Sequence, residues 1–198
     1  MPTDVKVAQA IGTIGCALAA SGIATLSTFS IPNLILPSRQ TGKTATYDKK
    51  PGTPAPHLTN QWLDLYDRGK KFFPGLAGFS SLANLYVSWK VRDSPLPGPF
   101  GLTWSKCYLL AIASTMGIVP FTVLVMSNTN NTLKAHATRD DAADEGLRPH
   151  EMENRERDDE EVVGVLGYWA KLNLARSLFP LVGAGIGFYA AVSSVILP

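Results

Sequence analysis

The chain has 198 residues, 18 of them basic and 16 acidic, for a net charge of +2; 45% are hydrophobic and only 17% charged. Soluble domains carry roughly 25% charge, and this apolar, near-neutral balance excludes a polybasic nucleic-acid binder and a wholly disordered chain. Two cysteines, Cys16 and Cys107, are too few for a disulfide scaffold or a four-cysteine zinc site, and His57, His136 and His150 are too few for a histidine-rich metal centre.

Charge is absent from four windows: 7–38, 72–89, 107–133 and 177–198. Crossing the hydrocarbon core takes about 20 mostly apolar residues, so the sequence predicts membrane helices at about 8–30, 72–90, 105–127 and 176–197. Soluble helices would carry a charged stripe, and these do not. The expected fold is all-α, an integral membrane four-helix bundle in one domain over residues 1–198, with the lipid bilayer as its surroundings.

The first helix follows Lys6 and contains Ala17-Leu18-Ala19, the small-residue pattern of a signal-peptide cleavage site. The uncharged run continues through Ile23, Leu26, Phe29 and Ile31, so the segment is read as retained. Loop one, Pro37 to Lys71, is rich in Pro, Thr and Lys. The second helix has Pro74, Gly75 and Gly78 near its start, which weaken it. Loop two is short, with Pro95, Pro97, Gly98 and Pro99 forcing a turn. Loop three, Ser127 to Arg176, is the longest. Its stretch from Asp140 to Glu161 holds eleven acids and three arginines. It lacks the glycine turn of a calcium loop and is read as an acidic, solvated linker and helix start over 137–161. The sequon Asn130-Asn131-Thr132 sits at the end of the third helix, where modification is not expected. Gly183, Gly185 and Gly187 lie inside an apolar helix and are read as contact points for close helix packing.

Two segments do not fit a plain anchor. Trp62, Tyr66 and Gly69 precede the second helix, and Trp169, Asn173 and Arg176 precede the fourth. Spacings of four and then three put each set on one helical face. Each is followed by a Phe-Pro step, Phe73-Pro74 and Phe179-Pro180. The up-down topology brings both faces to one end of the bundle, together with Ile31-Pro32-Asn33 and the Asn128 to Asn131 cluster. The result would be a half-buried cup of aromatic rings, amides and an arginine. Such residues also form interfacial belts and snorkelling anchors, but an arginine in the first membrane turn, with an amide on its own face, points to a site.

At these residues the chain resembles the fungal anthrone oxygenase family. The resemblance is carried by Trp62 to Gly69, by Gly117-Ile118-Val119-Pro120-Phe121-Thr122 with Met126, Thr129, Asn130 and Leu133, and by Trp169, Leu172, Asn173, Arg176 and Pro180. It covers the four helices and leaves out the acidic tract. It implies oxidation of an aromatic polyketide anthrone to the anthraquinone, with O2 as co-substrate and no organic cofactor, in secondary-metabolite biosynthesis at the endoplasmic reticulum or another endomembrane. The methylene of a hydroxyanthrone is an acidic carbon, because its anion is aromatic, and that anion can react with oxygen directly. The protein's tasks are then to bind a flat apolar tricycle, accept a proton and steady an oxyanion. On this reading Asp67 or His57 is the base, and a carboxylate at a dry membrane edge has a raised pKa. Arg176 stabilises the phenolate or superoxide. Asn130 and Asn173 bond ring oxygens, and Trp62, Tyr66 and Trp169 stack on the tricycle. Two other readings stand beside it: a non-enzymatic scaffold or carrier for a lipophilic product, and a metal-dependent oxygenase using His57 and His136 beside carboxylates, although no histidine pair has i, i+4 spacing.

Loops one and three hold 14 of the 18 basic residues, which puts them in the cytosol and both termini on the other side. Reporters fused at Lys50 and Glu151 are expected to behave as cytosolic; a lumenal signal from either reverses the orientation.

Overall fold

The computed structural model describes residues 1–39, 47–51, 53–94, 98, 101–138 and 149–196. Helix α1 (Thr3–Thr25) runs through a π-helical turn (Leu26–Ser30) into the short α2 (Ile31–Leu34). A small antiparallel pair follows, β1 (Pro37–Arg39) with β2 (Tyr47–Pro51). Then come α3 (Ala55–Lys90), α4 (Trp104–Met116), α5 (Ile118–Leu124), α6 (Ser127–Ala137) and α7 (Pro149–Ile196). The class is all-α, as expected. α1 packs on α3 and α7, and α4 packs on the same two helices, so the four long helices close into a ring.

Two expected boundaries shift. The second helix begins at Ala55, not at 72, and passes through Pro74 without breaking. Proline removes one backbone donor, and the turns on either side hold the helix together. Loop three is mostly helix: α6 fills its start, and α7 begins at Pro149. Residues 149–161 of the acidic tract form the first turns of α7. The remainder of the tract, 139–148, lies outside the described residues.

Among the described residues, three helices are long and apolar enough to cross a membrane: Thr3–Leu34, Trp104–Leu124 and Glu160–Ser193. α3 is not among them. The reason is the composition of its inner face, which carries Ser80, Ser81, Asn84 and Ser88, all buried. Its outer face is as apolar as those of its neighbours, with Phe72, Phe79, Leu82, Leu85 and Trp89 exposed. The same inversion runs through the bundle. Val7, Ile14 and Leu18 of α1 and Leu178, Val182 and Phe188 of α7 face outward, while Gln9, Cys16, Asn173 and Ser177 face inward. Such a surface suits lipid, which offers apolar side chains the surroundings that water denies them.

Between the helices, glycines receive polar side chains. Gly12 stands against Asn84, Gly15 against Ser80 and Gly183 against Thr115. Gln9 Nε2 donates to Tyr108 Oη at 2.7 Å, and Cys16 Sγ lies 3.3 Å from Thr115 Oγ1. Apolar clusters flank this polar layer. One, at the end where both termini lie, is built around Val5, Val87, Trp104 and Tyr108; the other, at the opposite end, around Ile31, Leu58, Trp62, Leu133, Leu166 and Trp169.

A methyl group at position 183 would collide with Thr115 Oγ1 and sit 2.8 Å from the Ala111 carbonyl, whereas nothing lies within 4 Å at position 185. Gly183→Ala is therefore expected to cost about 1–3 kcal/mol, read as a lower melting temperature in detergent. Gly185→Ala should be neutral or slightly stabilising.

Candidate active site

The cup predicted at one end of the bundle is occupied mainly by packed side chains, and the open space lies just beside it. Trp62 is fully buried. Tyr66 stacks on it, with centroids 5.1 Å apart and planes 25° apart, and Trp169 meets it edge-on at 5.8 Å and 87°. Aromatic contacts of this kind add about 0.5–1.5 kcal/mol each beyond their buried area. Trp169 Nε1 donates to Asn130 Oδ1 at 2.8 Å across the α6–α7 contact. Asn173 Nδ2 donates to the Ile23 carbonyl and to Ser27 Oγ, both at 2.9 Å. That bond falls where α1 widens into its π turn, a distortion that often marks a functional region.

Next to this cluster, a cleft between α1, α3, α5 and α7 encloses about 740 Å3 of atom-free space, part of it open at the mouth. Its apolar wall comes from Leu26, Leu65, Phe73, Ile118, Val119 and Val123. Its polar wall comes from Tyr66, Lys70, Thr122 and Arg176, with Trp169 between the two. An apolar cleft with a few converging polar groups is the usual form of a small-molecule site.

Arg176 is the unusual member. Its Nη1 donates to Thr122 Oγ1 at 3.1 Å, while its Nε is buried with no partner among the described residues. No carboxylate among the described residues is ion-paired with it. The Thr122 hydroxyl donates to the Ile118 carbonyl at 2.6 Å, so its oxygen is free to accept from the guanidinium. A positive charge held this way, at the edge of an apolar cleft, lacks an anion.

Of the residues singled out from the sequence, Tyr66, Trp169 and Arg176 line the cleft. Trp62 supports Tyr66 from behind. Asn130 and Asn173 are buried and hold Trp169 and α1 in place. Asp67 and His57 are not in the lining. Asp67, with a side chain 48% exposed, is paired with Lys70. The hydrogen bond from Lys70 holds its carboxyl below the usual range, the reverse of the rise expected for a dry edge. The same bond raises the Lys70 ammonium. His57 is exposed in the first turn of α3. Among the described residues no three His, Cys, Asp or Glu side chains gather as a metal site would require, so His57 and His136 are not joined by further ligands.

The sequence reading missed Lys70 and Thr122 as cleft residues. Lys70 was visible in principle, four residues after Tyr66 and so on its face. Thr122 stood in the quoted Pro120-Phe121-Thr122 run, but its contact with Arg176 spans two helices.

Replacing Asn130 with leucine would leave the Trp169 indole N–H buried and unpaired. Asn130→Leu is expected to lose about 1–3 kcal/mol of stability, and Asn130→Asp, which keeps an acceptor, to lose less; thermal melts in detergent distinguish the two.

The anthrone oxygenase family profile matches residues 62–186, a stretch that contains the whole polar wall of the cleft. The chain is 36% identical to the anthrone oxygenase nsrD of Aspergillus novofumigatus over 137 residues, covering 69% of this chain and 72% of that protein. It is 35% identical to the anthrone oxygenase tpcL of Aspergillus fumigatus over 135 residues, 68% of this chain and 71% of the relative. It is 34% identical to the anthrone oxygenase ptaC of Pestalotiopsis fici over 132 residues, 66% of this chain and 82% of the relative. No solved structure matches the chain. The chain belongs to the anthrone oxygenase family, and at that level it is an oxygenase with membrane helices.

Proposed function

We propose that this protein is a membrane-bound monooxygenase that converts a polyketide anthrone to the anthraquinone with O2 and without an organic cofactor, in an endomembrane where α3 crosses together with the three more apolar helices. The observation that carries the reading is Arg176: a guanidinium with a free buried Nε, no ion-pair partner among the described residues, and an apolar cleft in front of it. A flat phenolic substrate fills the apolar wall and puts its oxygens at the polar one.

The chemistry asks little of the protein. Loss of one methylene proton gives the aromatic anion, whose negative charge resides largely on the ring oxygen. Arg176 and Lys70 face that charge and stabilise it in a site drier than bulk water. The anion passes an electron to O2, and recombination forms a hydroperoxide on the former methylene carbon. Loss of water then gives the ketone, so one oxygen atom enters the product and the other leaves as water, which balances the two hydrogens lost from the methylene. Asp67 and His57 are outside the cleft, and the reading that fits their placement is indirect. Asp67 fixes Lys70, and water at the open mouth of the cleft takes the proton from a carbon whose acidity two facing cations increase, so that no dedicated carboxylate base is needed. Trp169, held by Asn130, supplies the ring that orients the tricycle.

The primary test is oxygen uptake and quinone formation by detergent-purified protein with an emodin-type anthrone, with and without chelator. Sustained turnover in both conditions is the expected outcome; no turnover by intact protein leaves a carrier or scaffold instead. Arg176→Ala is expected to remain in the membrane and to lose about 10²–10³-fold in turnover. Arg176→Lys should restore little, because a planar fork bonds to Thr122 and the substrate at once. Asp67→Asn should fall by no more than about tenfold, since one exposed carboxylate supports Lys70 from outside the cleft. Full turnover by the alanine variant would reduce Arg176 to a membrane-edge anchor.

A further inference from the structure

Tyr66 is poorly placed to act as a stacking platform. One side of its ring is packed on Trp62, and the ammonium groups of Lys134 and Lys70 lie over the ring, 4.7 and 5.3 Å from its centre. Little ring face remains for a third flat partner. Yet Tyr66 lines the cleft. What it can offer a ligand there is its edge and its phenol hydroxyl.

The surroundings of that hydroxyl are one-sided. The charged groups around Tyr66 are Lys70 and Asp67 from its own helix, Lys134 from α6 and Arg176 from α7. Asp67 is committed to Lys70. Lys70, over the ring, and Arg176 line the same cleft as Tyr66. The other hydroxyl in the wall, Thr122, spends its proton on the Ile118 carbonyl. Arg176 donates but does not accept, and the Lys70 ammonium is the same. Among the described residues, Tyr66 Oη is thus the group in the polar wall whose proton is uncommitted and whose oxygen can also take a proton up.

We propose that Tyr66 is a catalytic residue, the proton relay of the water-forming step, an inference that rests on the oxygenase reading above. In that step the hydroperoxide carbon loses its remaining hydrogen as a proton, and the C–H electron pair becomes the second bond of the new C=O. The O–O bond breaks, and the distal oxygen leaves with a proton as water. Tyr66 Oη–H gives its proton to the departing oxygen, and Oη receives the proton from carbon. The carbon is oxidised and the peroxide reduced, so no further oxidant or reductant enters. The charge that Oη carries in transit is countered by the cations that share the cleft with it, Lys70 and Arg176. The ring is not free to follow the substrate, because Trp62 and the two lysines fix it.

Tyr66→Phe tests this directly, since it keeps the ring and the Trp62 contact and removes only Oη. Oxygen uptake and quinone formation are recorded together on detergent-purified protein with a hydroxyanthrone. In wild type the two should run in step. In Tyr66→Phe oxygen uptake should continue while quinone formation lags by about 10²-fold, with titratable peroxide in the quenched mixture. Quinone appearing at the wild-type rate, or both traces slowing equally, overturns the relay. Wild type supplies a second test that needs no variant: in heavy water, quinone formation should slow relative to oxygen uptake, and an unchanged ratio overturns the proposal. If wild type neither consumes oxygen nor forms quinone, the oxygenase reading fails first and the relay with it; a failure confined to the variant or to heavy water sinks the relay alone.

Discussion

Close approach of helices at glycine is the constraint on which the structure depends. In lipid there is no hydrophobic force to press helices together, so packing and polar contacts between them must do it. Here the inner faces of α1 and α7 present Gly12, Gly15 and Gly183, and the facing helices fill those notches with Asn84, Ser80 and Thr115. A polar side chain settled in a notch is shielded from lipid and shortens the distance between helix axes. The outward residues are consequently free to be large and apolar. The low mean apolarity of α3 has in part the same origin, because its Ser80 and Asn84 are the residues that enter the notches of α1.

Tight packing through the middle fixes what happens at the loop one and loop three end. There the side chains become large: Trp62, Tyr66, Phe73, Trp169. Rings of this size cannot interdigitate as closely as serine and glycine, so the helices part and a cleft opens between α1, α3, α5 and α7. The chain stabilises the parted ends with directional bonds rather than with bulk. Asn130 clamps Trp169, and Asn173 clamps the π turn of α1. These amides tie α6 to α7 and α7 to α1 beside the cleft. Buried amides that satisfy a neighbouring helix or indole are costly to replace, because removing one partner strands the other.

The polar wall is cationic because its acids face elsewhere. Asp67 lies on the solvent side of α3 and takes Lys70 as its partner, and Asp64 pairs with Arg68. Arg176 has Thr122 in place of a carboxylate. A neutral acceptor orients the guanidinium without cancelling its charge. A site with that balance favours an anion generated from a neutral, greasy molecule: the neutral form partitions into the apolar wall, and the charge appears where the cations are. On the proposed reaction, an acidic carbon and dissolved oxygen need few protein groups, in keeping with how sparse the cleft lining is in titratable side chains.

Much of this was legible in the sequence. Three of the four charge-free windows announced helices long and apolar enough to cross a membrane, because a charge in hydrocarbon is costly enough to be excluded from the whole run. The i, i+4 and i, i+3 spacings put Trp62 with Tyr66 and Trp169 with Asn173 and Arg176, because helical neighbours are fixed by 3.6 residues per turn. The up-down order of the helices brought those faces to one end. The sequence did not reveal that the helices extend far past the charge-free windows, since water tolerates helix and loop alike once the hydrocarbon is left behind. Nor did it reveal which of the polar residues face open space. That choice depends on distances between helices, and no local spacing encodes them. Trp62 and Asn173 are as prominent in the sequence as Tyr66 and Arg176, yet the first pair is sealed in the packing and the second edges the cleft. Asp67 sits next to Tyr66 in the chain, but the roughly 100° turn per residue of a helix, together with Lys70 three residues on, commits it to the outer surface. Composition and periodicity determined the membrane bundle and the end that carries the site; only the tertiary structure, through the thickness of side chains between helices, decided where the space is and which groups reach it.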